Sequence, residues 1–208
     1  MTRLETALIR LDADLRKLRC RWALVGGMAV SARSRPRTTQ DVDVAIAVSG
    51  DPEAEGLVVT LRAFGYEVRS IVEQTARGRL ATARLVPPPD VADPTTGVEG
   101  EETLVDLLFA SSGIEPEVVE AADRLAVLPG FGVPVATTGH LLALKVLSEQ
   151  ENRPQDRMDA IALIQSADLR DLQEAREAIE LIIRRGFDRG KDLRAALAGV
   201  LAVRPEPG

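Results

Sequence analysis

The sequence predicts an α/β (α+β) protein: a mixed β-sheet flanked by helices over residues 1–136, followed by a C-terminal helical bundle over residues 137–208 packed on it. Three observations predict it. Leu4, Leu8, Leu11, Leu15 and Leu18 recur at spacings of four, three, four and three, which is one face of a helix. DVDVAIAV, residues 41–48, alternates strictly, with Val42, Val44, Ile46 and Val48 on one side and Asp41, Asp43, Ala45 and Ala47 on the other, as a half-buried strand does. From Thr137 onward, the segments carry helical rather than strand periodicity.

The elements follow in order. Thr2 and Glu5 form a capping box at the head of the first helix. WALVGG reads as a short buried strand ending in a glycine turn. MAVSARS reads as a short helix that stops before Pro36, because a residue preceding proline is pushed out of the helical region. After the DVDVAIAV strand, PEAEGLVVTLRAFG is a helix closed by Gly65. YEVRSIVEQ and GRLATARLV form a hairpin around Ala76-Arg77-Gly78. PPPDVADPTTGVEGEE, rich in proline, glycine and acid, is a surface loop. TLVDLLFA is a strand, EPEVVEAADRL a helix and FGVPVAT an extended segment. TTGHLLALKVLSEQ, RPQDRMDAIALIQSA, LRDLQEAREAIELIIRRG and DRGKDLRAALAGVLA are four helices, and the tail RPEPG frays.

Composition narrows the function classes. The 208 residues are 45% hydrophobic and 28% charged, ordinary for a soluble globular protein, and no apolar run approaches the ~20 residues of a membrane span. The charged N-terminus is no signal peptide. Lone Cys20 forms no internal disulfide and lone His140 builds no zinc site with it, so a cytoplasmic protein is expected. Cys20 reads as a small apolar residue and His140 as a helix N-terminal residue. The net charge of −6 is uneven: residues 1–50 carry nine basic and five acidic groups, residues 51–139 six and fifteen. A broad basic nucleic-acid footprint is absent, and a polyanion must meet a local patch near the N-terminus.

Asp41 and Asp43, two apart on one strand, project their carboxylates on one face. Held close and buried they repel, and a divalent cation with a taste for hard oxygen ligands relieves the conflict. Asp106, the lone acid of TLVDLLFA, is the candidate third ligand; three such carboxylates suit two ions about 4 Å apart in phosphoryl transfer. Gly26-Gly27, between a strand and a helix, exposes backbone N–H groups at the positive helix end, where a triphosphate rests with no side chain in the way. Each feature also has a plain reading: strand-entry acids beside a loop, an edge-strand charge at Asp106, a tight turn at the glycines. Of Arg33, Arg35 and Arg37, the first two read as solvated loop charge, and Arg37, nearest the aspartates, as the candidate phosphate contact.

Gly-Gly, thirteen residues, Asp-Val-Asp, then a later apolar-Asp-apolar strand resembles the DNA polymerase β-type nucleotidyltransferase superfamily. ALVGGMAV followed by RTTQDVDV is similar to the GG-x-A … R-x-T-x-D-[IV]-D signature of the AbiEii/AbiGii-like toxin nucleotidyltransferases, with Arg37, Thr39, Asp41 and Asp43 on its positions. Those proteins also carry a lysine on a leucine-rich helix and then an Asp-x-x-Asp segment, matched here by Lys145, Asp156 and Asp159. Gly-Gly stands where many superfamily members have Gly-Ser. Gln155 stands where a basic residue usually precedes the first aspartate of that segment, with Arg153 and Arg157 as candidate substitutes.

The resemblance implies a nucleotidyltransferase fold and Mg²⁺- (or Mn²⁺-) dependent transfer of an NMP from an NTP. Asp41, Asp43 and Asp106 would be catalytic metal ligands and Lys145 a catalytic residue, with Gly26, Gly27, Arg37, Thr39, Lys145 and Asp159 binding the nucleotide. It also implies a toxin–antitoxin setting: an RNA end, tRNA included, or a protein side chain as acceptor, a cognate antitoxin or toxin as partner, and no membrane. The acidic middle segment and the few aromatics weigh against tight tRNA binding. Two alternatives stand beside this reading: a small-molecule (antibiotic) nucleotidyltransferase, and a non-catalytic binding protein on the same fold.

Overall fold

The computed structural model describes residues 2–74, 77–88, 102–150 and 153–203. Among the described residues, seven strands form one mixed sheet: β1 (Trp22–Val25), β2 (Asp41–Ile46), β3 (Glu67–Gln74), β4 (Arg79–Val86), β5 (Leu104–Leu108), β6 (Asp123–Leu128) and β7 (Phe131–Val135). Their spatial order is β3-β4-β5-β2-β1-β7-β6. The β2–β5 and β1–β7 pairs are parallel and the other pairs antiparallel. The helices are α1 (Arg3–Lys17), α2 (Gly26–Arg33), α3 (Asp51–Ala63), α4 (Glu115–Glu120), α5 (Thr138–Ser148), α6 (Pro154–Ser166), α7 (Leu169–Arg185) and α8 (Leu193–Leu201).

Helix α1 forms as its leucine spacing predicts. Thr2 and Glu5 complete the capping box, and Leu8, Leu11 and Leu15 are wholly buried. The β3–β4 hairpin also forms, with Gly78 at φ 59° in its turn. Its Ala76, the loop over residues 89–101 and the tail over residues 204–208 lie outside the described residues.

Strand β2 departs from the expectation in an instructive way. It ends at Ile46, not Val48, and its alternation holds only from Asp41 to Val44. Ala45 and Ile46 are both buried, so the aspartate side of β2 is open at one end and covered at the other. The helix expected over residues 115–125 stops at Glu120, and Asp123–Leu128 is strand β6. Pairing with β7 around Gly130, at φ 72°, wins over the helical propensity of the Glu-Ala-Ala stretch. Helix α8 begins at Leu193, capped by Asp192, rather than at Asp188.

One apolar core runs through the chain. It includes Leu24, Val44, Ile46 and Leu107 of the sheet together with Leu141, Leu142, Val146, Leu163 and Ile179 of the C-terminal helices. Helix α2 touches β1, β2, α5 and α6, so it joins the sheet to those helices at the place where the glycine pair sits.

Candidate active site

The register places the site. Arg84 of β4 lies opposite Asp106 of β5, Asp106 opposite Asp43 of β2, and Asp43 opposite Val25 of β1. One row thus crosses four strands, and β1 gives way to α2 at Gly26, one residue past that row. Asp41 pairs with Leu104 two positions earlier, on the same face as Asp43.

Gly26 has φ 63°, a conformation that glycine adopts without penalty. The positive φ turns the chain from strand into helix beneath the carboxylates. A β-carbon on Gly26 would lie 1.9 Å from Oδ2 of Asp43. On Gly27 it would lie 2.6 Å from a terminal nitrogen of Arg37 and 2.6 Å from Oγ1 of Thr39. The glycine pair is therefore a cradle for Asp43, Arg37 and Thr39, whose side chains pack where a β-carbon would stand.

The loop after α2 folds back on it. Ser31 Oγ donates to the carbonyl of Gly27 at 3.0 Å and accepts from the backbone N–H of Arg37 at 3.3 Å. Arg37 then reaches α6: its terminal nitrogen donates to Asp159 Oδ2 at 2.7 Å, and Nε stands 2.7 Å from Oδ1. Lys145 of α5 meets the same carboxylate, with Nζ 2.8 Å from Asp159 and 2.9 Å from Asp156. Its side chain is 12% exposed and faces inward.

Gln155 donates to Asp159 Oδ1 at 2.9 Å, so the residue in the usual basic position supports the aspartate instead. Arg157 pairs with Glu149 at 2.9 Å, and Arg153 stands 3.7 Å from Asp156. Burial would raise the Asp159 pKa, but hydrogen bonds from Arg37, Lys145 and Gln155 outweigh it and hold the carboxyl below its ordinary value.

The strand carboxylates show the opposite tendency. Burial, and next the charge of Asp106, push the Asp43 carboxyl up to about 6, against weaker relief from Lys145. Asp41 is also raised, chiefly by burial, with Arg84 pulling down and Asp106 pushing up. These two are hard oxygen donors on one face whose negative charge is poorly compensated, which is the donor chemistry a divalent cation satisfies. Asp106 is differently engaged. Arg84 grips it in a two-pronged fork, Nε to Oδ1 at 2.8 Å and a terminal nitrogen to Oδ2 at 2.6 Å. Among the described residues no three His, Cys, Asp or Glu side chains stand in a ready metal-holding group. The aspartates fit such an ion by type and face, and both oxygens of Asp106 accept from Arg84.

The structure thus brings Gly26, Gly27, Arg37, Thr39, Asp41, Asp43 and Asp106 to one end of the sheet. It also brings Lys145, Asp156 and Asp159 against Arg37 from the helical side. Arg84 is the residue that sequence reasoning missed; its signal was a single arginine in the otherwise uncharged stretch LATARLV.

Arg33 corrects the expectation of a solvated charge. It donates to the carbonyls of Ala136 and Val135, both at 2.9 Å, and to Asp123 at 3.0 Å, tying α2 to the end of β7 and the start of β6. Arg35 is exposed, as expected. His140 lies in the first turn of α5 against Thr137 Oγ1 at 2.8 Å, its pKa lowered chiefly by burial. Burial pushes the Cys20 thiol up to about 11, as suits an inert small side chain. A separate cavity of about 570 Å³, lined by Val48, Arg77, Arg79, Phe109, Glu115 and Phe187 among others, shares no residue with the carboxylate row.

A crystal structure of an antigenic nucleotidyltransferase-like protein from Paracoccidioides brasiliensis matches with TM-score 0.50 and 20% identity, over 98% of this chain and 94% of that one. The lincosamide antibiotic adenylyltransferase LnuA, lincomycin-bound, matches at TM-score 0.46 and 12% identity, over 78% of this chain and 98% of that one. The antibiotic-resistance factor ANT(2'')-Ia matches at TM-score 0.47 and 14% identity, over 95% of this chain and 90% of that one. Among curated proteins none matches the chain.

The fold is that of a nucleotidyltransferase. More narrowly, the model of the nucleotidyl transferase AbiEii toxin family, type IV toxin–antitoxin system, matches residues 9–205, and the chain belongs to that family. It is a transferase of the nucleotidyl-transfer class. Among the described residues no helix is long and apolar enough to cross a membrane.

Proposed function

We propose that this chain moves an NMP from an NTP to an RNA or protein acceptor in the cytoplasm, with Mg²⁺ or Mn²⁺, as one member of a toxin–antitoxin pair. The observation that carries the reading is the row in which Asp106 and Asp43 stand side by side and meet the bare glycine turn at the head of α2. Asp41 and Asp43, joined by Asp106, would hold the metal. When bound, it supplies charge neutralisation on the phosphoryl oxygens and orients the attacking oxygen.

The chain's own groups do the rest. The N–H groups at Gly26-Gly27 receive the triphosphate at the positive end of α2. Arg37 and Lys145, held in place by Asp159, neutralise its phosphates, and Arg37 and Thr39 both pack against Gly27. Asp106 takes the proton of the acceptor hydroxyl. The freed oxygen attacks the α-phosphorus, the bond to the bridging oxygen breaks, and pyrophosphate leaves.

The test is incubation of the protein with each α-labelled NTP, a divalent cation and total cell RNA or protein, following where label goes. The Asp41→Ala, Asp43→Ala double variant should keep its fold by circular dichroism and lose labelling. Labelling at the wild-type rate in that variant sinks the reading.

A further inference from the structure

Both oxygens of Asp106 are already taken. The guanidinium of Arg84 holds them at 2.8 and 2.6 Å, a geometry matched to a carboxylate. The hydrogen bonds and neighbouring charges of Asp106, Asp41 and Asp43 make Arg84 harder to deprotonate than an ordinary arginine. Arg84 is therefore a cation facing all three strand carboxylates, Asp106 and Asp43 in its own row and Asp41 two positions along β2. The two partners differ in freedom: the Arg84 side chain is 42% exposed and that of Asp106 12%. A guanidinium at the rim has water to swing into, whereas the carboxylate is fixed by its strand.

We propose that Arg84 is a built-in counter-ion, a positioning residue that keeps Asp106 aimed and neutralised in the nucleotide-free protein and yields it to the divalent cation. The inference rests on the metal reading of the carboxylate row given above. Its physical basis is competition. A divalent ion on an Asp106 oxygen would stand within a few ångströms of a guanidinium bonded to the same group, and like charges at that range repel strongly in a partly buried site. Ion entry and fork opening are then one exchange, and the fork weakens metal binding until substrate phosphates arrive to offer Arg84 another anion.

Mn²⁺ binding to the metal-free full chain without nucleotide, followed by electron paramagnetic resonance, tests this. Arg84→Ala should bind Mn²⁺ about tenfold more tightly than wild type, the equivalent of losing one charge-assisted contact. Arg84→Lys, which keeps the charge without the fork, should fall between them. Adding Asp106→Asn to Arg84→Ala should cancel the gain. Equal or weaker Mn²⁺ affinity in a folded Arg84→Ala or Arg84→Lys protein overturns the inference, as does a gain that survives Asp106→Asn. If wild type binds Mn²⁺ through Asp41 and Asp43 and the Arg84 variants leave that unchanged, this inference alone fails. If no variant binds Mn²⁺, the metal reading beneath it fails as well.

Discussion

Gly26 and Asp43 approach so closely that a methyl group on the glycine would fall 1.9 Å from the carboxylate oxygen. Gly26 also sits at φ 63°, where an alanine is strained whatever the space. Gly26→Ala should therefore lower stability by about 1–3 kcal/mol and displace Asp43. Urea denaturation measures the first effect. Labelling with α-labelled NTP measures the second, and it should fall by at least about tenfold even at temperatures where the variant is fully folded. Gly27→Ala meets Arg37 and Thr39 instead, both ends of flexible or small side chains. It should cost less stability but weaken NTP binding.

Asp43 also sets a pH dependence. Its folded pKa of about 6 lies above the ordinary value of 3.8. Between those values the folded state holds a proton that the unfolded state has released. Its stabilising contribution is thus complete below about pH 4 and is lost as pH rises through 6. In EDTA, wild type should lose about 1–2 kcal/mol from this group between pH 4.5 and 7.5, allowing for the solvent that reaches it. Asp43→Asn should lack that component, and added Mg²⁺ at pH 7.5 should restore stability to wild type but not to the variant. Denaturation midpoints that track each other across this range would show that Asp43 does not titrate as stated.

Much of this site was legible in the sequence because its elements are local. The Asp-Val-Asp alternation, the glycine pair between strand and helix, and the leucine spacing of α1 each lie within one segment. What the sequence hid is register. Nothing in LATARLV says that β4 borders β5, still less that Arg84 faces Asp106. Arg37 and Asp159 meet across 122 residues. The strand at Asp123–Leu128 was masked by good helix formers, and its hairpin with β7 decided the outcome. Arg33 looked like surface charge because the carbonyls it serves belong to a strand end more than a hundred residues later.

The Arg37–Asp159–Lys145 cluster makes a second prediction possible on stability and chemistry together. Asp159 is 1% exposed and accepts from both cations and from Gln155. Asp159→Ala leaves Arg37 and Lys145 without their shared anion and should cost about 3 kcal/mol. Asp159→Asn keeps an acceptor and should cost less. Because the folded pKa of Asp159 is depressed, its contribution is present above the ordinary carboxylate pKa and is lost as pH falls through the lowered value. Lys145→Met leaves Asp159 paired with Arg37, so stability should drop less than in Asp159→Ala while labelling drops more. Denaturation curves and labelling rates on the same samples separate the two; a Lys145→Met protein that labels normally would remove Lys145 from the catalytic set.

Arg33 should behave as a purely structural arginine. Its three donated hydrogen bonds fasten α2 to the β6–β7 edge, and its side chain is 15% exposed. Arg33→Ala strands two backbone carbonyls at Val135 and Ala136 and should destabilise the chain by about 1–3 kcal/mol. Arg33→Lys should recover little of this, since one ammonium cannot span the positions that the planar fork reaches. The labelling rate per folded molecule should stay at the wild-type level in both, because Arg33 points away from the carboxylate row toward β6 and β7. A variant that stays as stable as wild type yet labels poorly would instead mark Arg33 as part of the polyanion-binding patch and return it to the basic stretch around Arg37.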